Sequence, residues 1–191
     1  MEANSELKSI LNPEKTVLLI WDVQNMLVSN IFNQDEFLEN LKKVISFARE
    51  KGIQIIFSKI TPLPEKFESP VRKYMMKNRP RLGQVPNALD LAVEPLPDEM
   101  VIPKNTASMF IGTNFEQILR NAGITTIAFT GIATEMGIES SARDASNRGF
   151  FPVIITDAVS SRNKEAHDRS LENLKNLMIL LSSDEIISLW K

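Results

Sequence analysis

Two charged side chains follow apolar stretches of the chain at points where a buried strand would end. Asp22 comes directly after the run 17–21, and Lys104 follows Val101-Ile102-Pro103. A carboxylate at such a place has little water around it, so its pKa can rise towards the range that a general acid or base needs. A neighbouring lysine would orient a substrate or stabilise an oxyanion. A loop-capping aspartate and a solvated lysine are the plain alternatives, but together the two residues predict an ion pair in one crevice.

A third stretch, residues 130–137, reads Thr-Gly-Ile-Ala-Thr-Glu-Met-Gly and leads from a predicted strand into a helix. The free N–H groups at the start of such a helix point back towards the crevice and can hold an anion or oxyanion. Gly137 lies in the first helical turn, where glycine costs up to about 1 kcal/mol relative to alanine. Two explanations stay open: close helix–sheet packing that tolerates only a hydrogen, or room left for a substrate.

The elements that must position these residues are short apolar runs separated by helical patterns. The runs lie at 16–21, 53–57, 100–102, 125–130, 153–156 and 178–181, and they are nearly continuously apolar, as in parallel strands covered on both faces. Strand and helix alternate, which predicts a doubly wound α/β fold. Ligands in such folds bind beyond the carboxyl ends of the strands, where Asp22, Lys104 and Gly137 fall.

Composition narrows the class of protein. With 191 residues, 43% hydrophobic and 24% charged, the chain is expected to form one domain, residues 1–191. The net charge of −2 argues against nucleic-acid binding through bulk charge, and no apolar run is long enough to span a membrane. The chain has no cysteine and one histidine, His167, which excludes thiol nucleophiles and multi-histidine metal sites. His167 is expected to be an exposed or capping residue without a catalytic role, and the polar N-terminus predicts a cytoplasmic protein.

One segment, about residues 61–97, interrupts the alternation with seven prolines and no sustained strand. An irregular stretch of that length in a compact domain is typical of a functional lid or an interface arm. A basic lid would favour an anionic substrate, although scattered charges on a solvated loop are an equally simple explanation. The basic residues concerned are Lys66, Arg72, Lys73, Lys77, Arg79 and Arg81.

Read together, the stretches 18–24, 102–110, 130–145 and 155–160 resemble the isochorismatase-like hydrolase superfamily, which includes isochorismatases, nicotinamidases and related amidases. The resemblance covers nearly the whole chain and implies a three-layer fold with a six-stranded parallel sheet. It also implies a cis peptide between Ile132 and Ala133. The aspartate, lysine and cysteine of the amidase members fall on Asp22, Lys104 and Gly137, so the thioester route has no attacking group here.

Glycine at the cysteine position is also a feature of the true isochorismatases, which protonate a vinyl ether and form no covalent enzyme intermediate. Asp22 suits that chemistry. However, Thr61 stands where isochorismatases tend to have glutamine, and Ala133 where they have tyrosine. Three explanations remain: a cysteine-independent hydrolase, a catalytically silent relative that binds a small molecule, or removal of a cysteine at residue 137 by engineering. The serines one turn further along, Ser140 and Ser141, face elsewhere by the helical period.

The sequence therefore predicts a hydrolase of a small, anionic molecule that acts on a vinyl-ether or C–N bond. Asp22 would be the general acid/base, Lys104 would orient or stabilise charge, and backbone N–H groups around Gly137 would hold developing negative charge. Trp21 is expected to be a buried pocket wall or core residue. The predicted substrate contacts are Gln24, Thr61, Phe110, Ile132 and Ala133. No cofactor, metal, nucleic-acid or membrane partner is expected, and the superfamily implies a homo-oligomer, a dimer or tetramer.

Overall fold

The computed structural model describes residues 2–77 and 85–191, and its central feature is a six-stranded parallel sheet. The spatial order is β3-β2-β1-β4-β5-β6, so the direction of strand addition reverses between β1 and β4, where doubly wound folds bind ligands. The predicted α/β fold class is confirmed. The strands are β1 (Thr16–Trp21), β2 (Gln54–Ile60), β3 (Met100–Lys104), β4 (Thr126–Ile132), β5 (Phe151–Ser160) and β6 (Ile179–Leu181).

The described residues also form eight α-helices, and those that cover the sheet make it the middle of three layers. α3 and α8 pack on one face, and α5, α6 and α7 pack on the other. None of the helices in the described ranges has both the length and the apolar character needed to cross a membrane. The helices are α1 (Glu2–Ile10), α2 (Asn25–Val28), α3 (Gln34–Glu50), α4 (Pro70–Lys77), α5 (Phe115–Asn121), α6 (Glu139–Asn147), α7 (Lys164–Leu174) and α8 (Ser183–Trp190).

The central strand β1 is buried over its whole length because both of its faces are covered. Its side chains alternate, so Leu18 and Ile20 belong to the core beneath α3 and α8. Val17, Leu19 and Trp21 belong to the core beneath α5 and α6. The strand therefore delivers Asp22 to the carboxyl edge of the sheet and leaves the side chain of Trp21 on the α6 side.

The segment 61–97 is less irregular than predicted, because it contains the helix α4. Pro70 opens this helix, a position where the missing N–H of proline costs nothing. The hydroxyl of Ser69 accepts a hydrogen bond from the N–H of Arg72 at 3.4 Å, as a helix-capping serine does. Two of the predicted lid cations, Arg79 and Arg81, lie outside the described residues.

Candidate functional site

Asp22 is the first residue after β1 and is almost completely buried. Its φ of +46° lies in the left-handed region, which aspartate tolerates better than most side chains. Ser58 of β2 bonds Asp22 twice. The N–H of Asp22 donates to Ser58 Oγ at 3.0 Å, and the Ser58 hydroxyl donates to Asp22 Oδ1 at 2.6 Å. A single hydroxyl thus holds both the turn and the carboxylate.

Lys104, the last residue of β3, completes the predicted ion pair. Its Nζ donates to Asp22 Oδ2 at 2.5 Å and to the Thr106 carbonyl at 3.2 Å. Both charged side chains are only 3% exposed. The ammonium also lies 3.9 Å from the ring centroid of Trp21, a cation–π contact. The two residues, 82 positions apart in the chain, therefore meet as the sequence predicts.

Burial moves the pKa values of the two partners towards each other. It raises the pKa of Asp22, against the opposing effects of the Lys104 charge and of hydrogen bonds from Lys104 and Ser58. It lowers the pKa of Lys104, against the attraction of Asp22. A charged pair and a neutral pair consequently become closer in free energy than they are in water. This arrangement can give a proton to a substrate or take one from it.

Gly137 lies in a wide π-helical turn, Thr134–Ile138, that joins β4 to α6. A Cβ atom built on Gly137 would lie 2.1 Å from Nε1 and 2.2 Å from Cε2 of Trp21, far closer than van der Waals contact allows. The explanation that this glycine leaves room for a substrate is therefore wrong, because the Trp21 indole fills the space. The alternative explanation, close packing that tolerates only a hydrogen, is what the structure shows.

The backbone around Gly137 is also engaged within the turn. The peptide bond between Ile132 and Ala133 is cis, as the resemblance implies. The N–H groups of Met136 and Ile138 both donate to the Ala133 carbonyl, at 3.2 and 3.3 Å. These two donors are thus used internally rather than directed at a substrate. Ile132 is buried in the core beneath α3, and Ala133 packs against that core.

The side chain of Gln24, a predicted substrate contact, makes hydrogen bonds to backbone groups of the protein instead. Its side-chain amide donates to the carbonyls of Ile60 and Leu89, at 3.2 and 2.8 Å, and its carbonyl accepts from the N–H of Ile60 at 2.9 Å. Gln24 is fully buried. In this structure it ties the end of β1 to the end of β2 and to the segment 61–97.

Phe110 lies in an aromatic cluster instead of beside the ion pair. Its ring centroid is 5.3 Å from that of Phe115 and 6.0 Å from that of Phe150, and the Arg148 guanidinium lies 4.8 Å from its centroid. Phe150 directly precedes β5, at the amino edge of the sheet. The structure therefore draws Phe110 towards the opposite edge from Asp22.

Two residues of the segment 61–97 do approach the ion pair. The N–H of Thr61 donates to the Lys104 carbonyl at 3.1 Å, and Thr61 is exposed. Arg72 of α4 donates to Asn105 Oδ1 at 3.3 Å, next to Lys104 in the chain. The Arg72 charge lowers the pKa of both Asp22 and Lys104. A second cation therefore acts on the site from the segment in which the sequence suggested a basic lid.

The sequence patterns missed Ser58, the residue that holds Asp22. The available signal was a lone hydroxyl in an otherwise apolar stretch of the strand next to β1. β1 and β2 pair in parallel with Ile20 opposite Phe57, so the next residue on each strand reaches the same edge.

His167 is buried, so the expectation of an exposed or capping histidine is wrong. Its Nδ1 lies 2.8 Å from the hydroxyl of Thr134, which itself donates to the Ser160 carbonyl at 3.1 Å. Because that hydroxyl has one proton, Nδ1 of His167 carries the hydrogen that joins the two side chains. Burial lowers the pKa of His167. The contact fastens α7 to the π-helical turn that contains Gly137.

Within residues 2–77 and 85–191, no three acidic or histidine side chains come together as a metal ion would require. Independence from metals and cofactors stays a prediction from the sequence.

The sequence profile of the isochorismatase domain matches residues 16–185, a span that includes Asp22, Lys104 and Gly137. The chain belongs to the isochorismatase family. Its predicted placement among the isochorismatase-like hydrolases is thereby confirmed.

Other members of the isochorismatase family are similar over most of their length. The ureidoacrylate amidohydrolase RutB of Agrobacterium fabrum is 29% identical over 175 residues, covering 78% of this chain and 77% of that protein. The uncharacterized isochorismatase family protein YrdC of Bacillus subtilis is 31% identical over 151 residues, covering 78% and 75%. A cysteine hydrolase from Pseudomonas syringae pv. phaseolicola has the same fold, with a TM-score of 0.84 at 17% identity over 94% of this chain and 93% of that one.

Proposed function

We propose that this isochorismatase-family chain hydrolyses a small anionic molecule, with Asp22 as general acid/base and without a covalent enzyme intermediate. The observation that carries the proposal is the buried Asp22–Lys104 pair, whose carboxyl pKa is raised by burial. No nucleophilic side chain is available at residue 137, where the Trp21 indole occupies the space. Water is then the nucleophile, and the protein supplies the proton transfer.

Cleavage of a C–N bond is the reaction that the relatives favour, since RutB is named an amidohydrolase. In such a reaction the oxygen of a water molecule bonds to the carbonyl carbon while the Asp22 carboxylate takes a proton from that water. The same proton passes to the leaving nitrogen as the C–N bond breaks. Lys104 and Arg72 supply positive charge near the oxygen on which negative charge develops.

Vinyl-ether cleavage needs the opposite first step from the same residue. The protonated carboxyl of Asp22 gives its proton to the substrate carbon, and water then captures the oxocarbenium ion. Both reactions use one proton on Asp22, and neither uses a residue at position 137. The raised pKa of Asp22 favours the protonated form that vinyl-ether cleavage requires.

An anionic substrate is inferred from the cations around the site. Lys104 is ion-paired with Asp22, and Arg72 approaches from α4 with two partners, the Asn105 amide and the Glu68 carboxylate, which lies 3.8 Å from Arg72 Nε. A guanidinium can bind a carboxylate through two parallel hydrogen bonds. The exposed Thr61, bonded through its backbone to Lys104, is the predicted substrate contact that remains beside the pair. The homo-oligomeric state and the cytoplasmic location stay predictions from the sequence.

The test is turnover of a substrate panel containing isochorismate, ureidoacrylate and simple amides by the parent chain, Asp22→Asn and the control Asp168→Asn. We expect Asp22→Asn to lose about 10²- to 10⁴-fold in kcat, as is typical when a general acid or base is removed. The exposed Asp168 is expected to be replaceable without effect. Turnover that survives Asp22→Asn, or a parent chain that binds panel members without converting any, would show the proposal to be wrong.

A further inference from the structure

The side chain of Trp21 lies against both Gly137 and the Lys104 ammonium. It projects from the end of β1 to the face that carries α6, and it is only 1% exposed. On one side, the Nε1, Cε2 and Cζ2 atoms lie 2.1 to 2.5 Å from the point where a Cβ of residue 137 would be. On another side, its ring centroid lies 3.9 Å from the Lys104 ammonium. One indole therefore separates residue 137 from the buried lysine.

The ring has little freedom to move away from Gly137. It belongs to the core cluster that also contains Met109, Phe115 and Ile138, all fully buried. Extra atoms in such a core force strained rotamers or backbone shifts. A side chain at residue 137 must therefore displace a buried indole from a filled core.

We infer that Trp21 is a positioning residue of this site. Its indole fills the volume that a side chain at residue 137 would need, and it forms the wall beside the Lys104 ammonium. Trp21 and Gly137 are then an interdependent pair, in which the large residue requires the small one. The inference concerns the site of the proposed function and deepens it, but its test needs no turnover.

Because Trp21 and Gly137 depend on each other, the activity of a Gly137→Cys variant does not by itself show whether a nucleophile has been lost. Gly137→Cys by itself introduces a thiol into space that the indole holds, so a lack of activity in that variant says nothing about a lost nucleophile. A cysteine is accommodated only when Trp21 is also replaced by a smaller side chain. Because the chain has no native cysteine, each engineered variant holds a single thiol and can be labelled without background.

The first measurement is stability in four proteins: the parent chain, Trp21→Val, Gly137→Cys and the double variant. We expect Gly137→Cys to lower the urea midpoint of unfolding in the parent background. In the Trp21→Val background the same substitution should cost less than half as much, since the collision is gone. Trp21→Val alone creates a cavity and lowers the midpoint, so the comparison is made between backgrounds.

The second measurement is the rate of thiol labelling by iodoacetamide as a function of pH. In the double variant the thiol replaces the wall of the Lys104 ammonium, and a nearby cation stabilises the thiolate. The pH midpoint of labelling should therefore lie about one unit below that of Trp21→Val/Ser140→Cys. Ser140 is the control because it lies near the start of α6 and is not among the residues that α6 buries. Simple relief of crowding would not produce this shift.

Three results would overturn the inference. One is an unchanged urea midpoint for Gly137→Cys in the parent background. Another is a thiol that is labelled equally fast with and without the indole, and the third is a labelling midpoint equal to that of the Ser140→Cys control. If the double variant does not fold, Gly137→Ala with and without Trp21→Val repeats the stability comparison with a single methyl group. An equal cost in both backgrounds would again reject the pairing.

Discussion

The ion pairs Asp22–Lys104 and Asp168–Lys164 have the same chemistry and nearly the same length, 2.5 and 2.6 Å, yet their carboxylates behave in opposite ways. In the first pair both side chains are 3% exposed, and burial raises the pKa of Asp22. In the second the lysine is 65% and the aspartate 52% exposed, and the hydrogen bond from Lys164 lowers the pKa of Asp168. Loss of water, rather than distance, decides the direction.

The comparison explains why only the pair at the carboxyl edge of the sheet suits proton transfer. The exposed pair on α7 is surrounded by water, and salt screens the attraction between its charges. In the buried pair, the Ser58 hydroxyl is a second donor to the carboxylate beside Lys104. Among the described hydrogen bonds, Asp168 has Lys164 as a donor and no second one. Replacing individual members of the two pairs therefore tests whether burial accounts for the difference between their carboxylates.

The largest effect is expected for Lys104→Met, which removes the cation and leaves a carboxylate buried. Breaking such a pair costs about 3–5 kcal/mol of unfolding free energy at pH 8. Without Lys104 the pKa of Asp22 rises further above its unfolded value of 3.8, because the lysine opposes the effect of burial. The folded state then holds its proton more tightly than the unfolded state, so stability falls as pH rises from about 4 through the raised pKa.

Urea unfolding at pH 4 and pH 8 measures this deficit, which should be markedly smaller at pH 4. Lys164→Met is the matched control, because it removes the same side chain from the exposed pair. An equal loss of stability at both pH values would contradict the view that Lys104 opposes the effect of burial on the pKa of Asp22.

An intermediate effect is expected for Ser58→Ala, which removes the two hydrogen bonds between Ser58 and Asp22 and leaves the one from Lys104. Leaving a buried partner unsatisfied costs about 1–3 kcal/mol. The Ser58 hydrogen bond lowers the pKa of Asp22, so its loss should move the Asp22-dependent limb of the kcat/KM profile to higher pH.

Ser183→Ala provides the comparison for that shift, since Ser183 is a buried serine whose hydroxyl donates to Asp157 at 2.7 Å. It should lower stability and leave the pH profile unmoved. A profile that stays in place in Ser58→Ala as well would show that Asp22 does not control the limb.

The smallest effect is expected for Asp168→Asn. The pKa of Asp168 is lowered in the folded state, so its contribution is present above the unfolded value of 3.8 and is lost as pH falls through the lowered value. Solvent screens the exposed pair, so the urea midpoint at neutral pH should change little and the change should vanish in 1 M salt. A large, salt-insensitive loss would mean that exposure does not distinguish the two pairs.

Much of the fold follows from local patterns in the sequence. Continuous apolar runs identified all six strands, because a strand covered on both faces leaves no polar alternation. The start of α8 also follows from local spacing, since a serine three residues before a glutamate is typical of a capping box and Ser182 and Glu185 form one. The pairing of Asp22 with Lys104 follows from the same reasoning, because parallel strands bring their carboxyl ends to one edge.

What the sequence did not disclose depends on side-chain packing between distant elements. Neither spacing nor composition indicates that Trp21 turns its ring into the space above Gly137, since this depends on how α6 docks on β1. Gln24 and Phe110 are residue types that often contact a substrate. In the structure, however, Gln24 hydrogen-bonds backbone carbonyls and Phe110 packs in an aromatic cluster. His167 was misjudged because its partner, Thr134, is 33 residues away in the chain.

The Trp21 indole fills the space beside Gly137 and the sequence contains no thiol, which also determines which reagents can inactivate the protein. Alkylating agents, heavy metals and disulfide stress silence enzymes by attacking sulfur nucleophiles, and this chain presents no cysteine to them. Its activity is therefore expected to persist in media that inactivate enzymes with a thiol nucleophile.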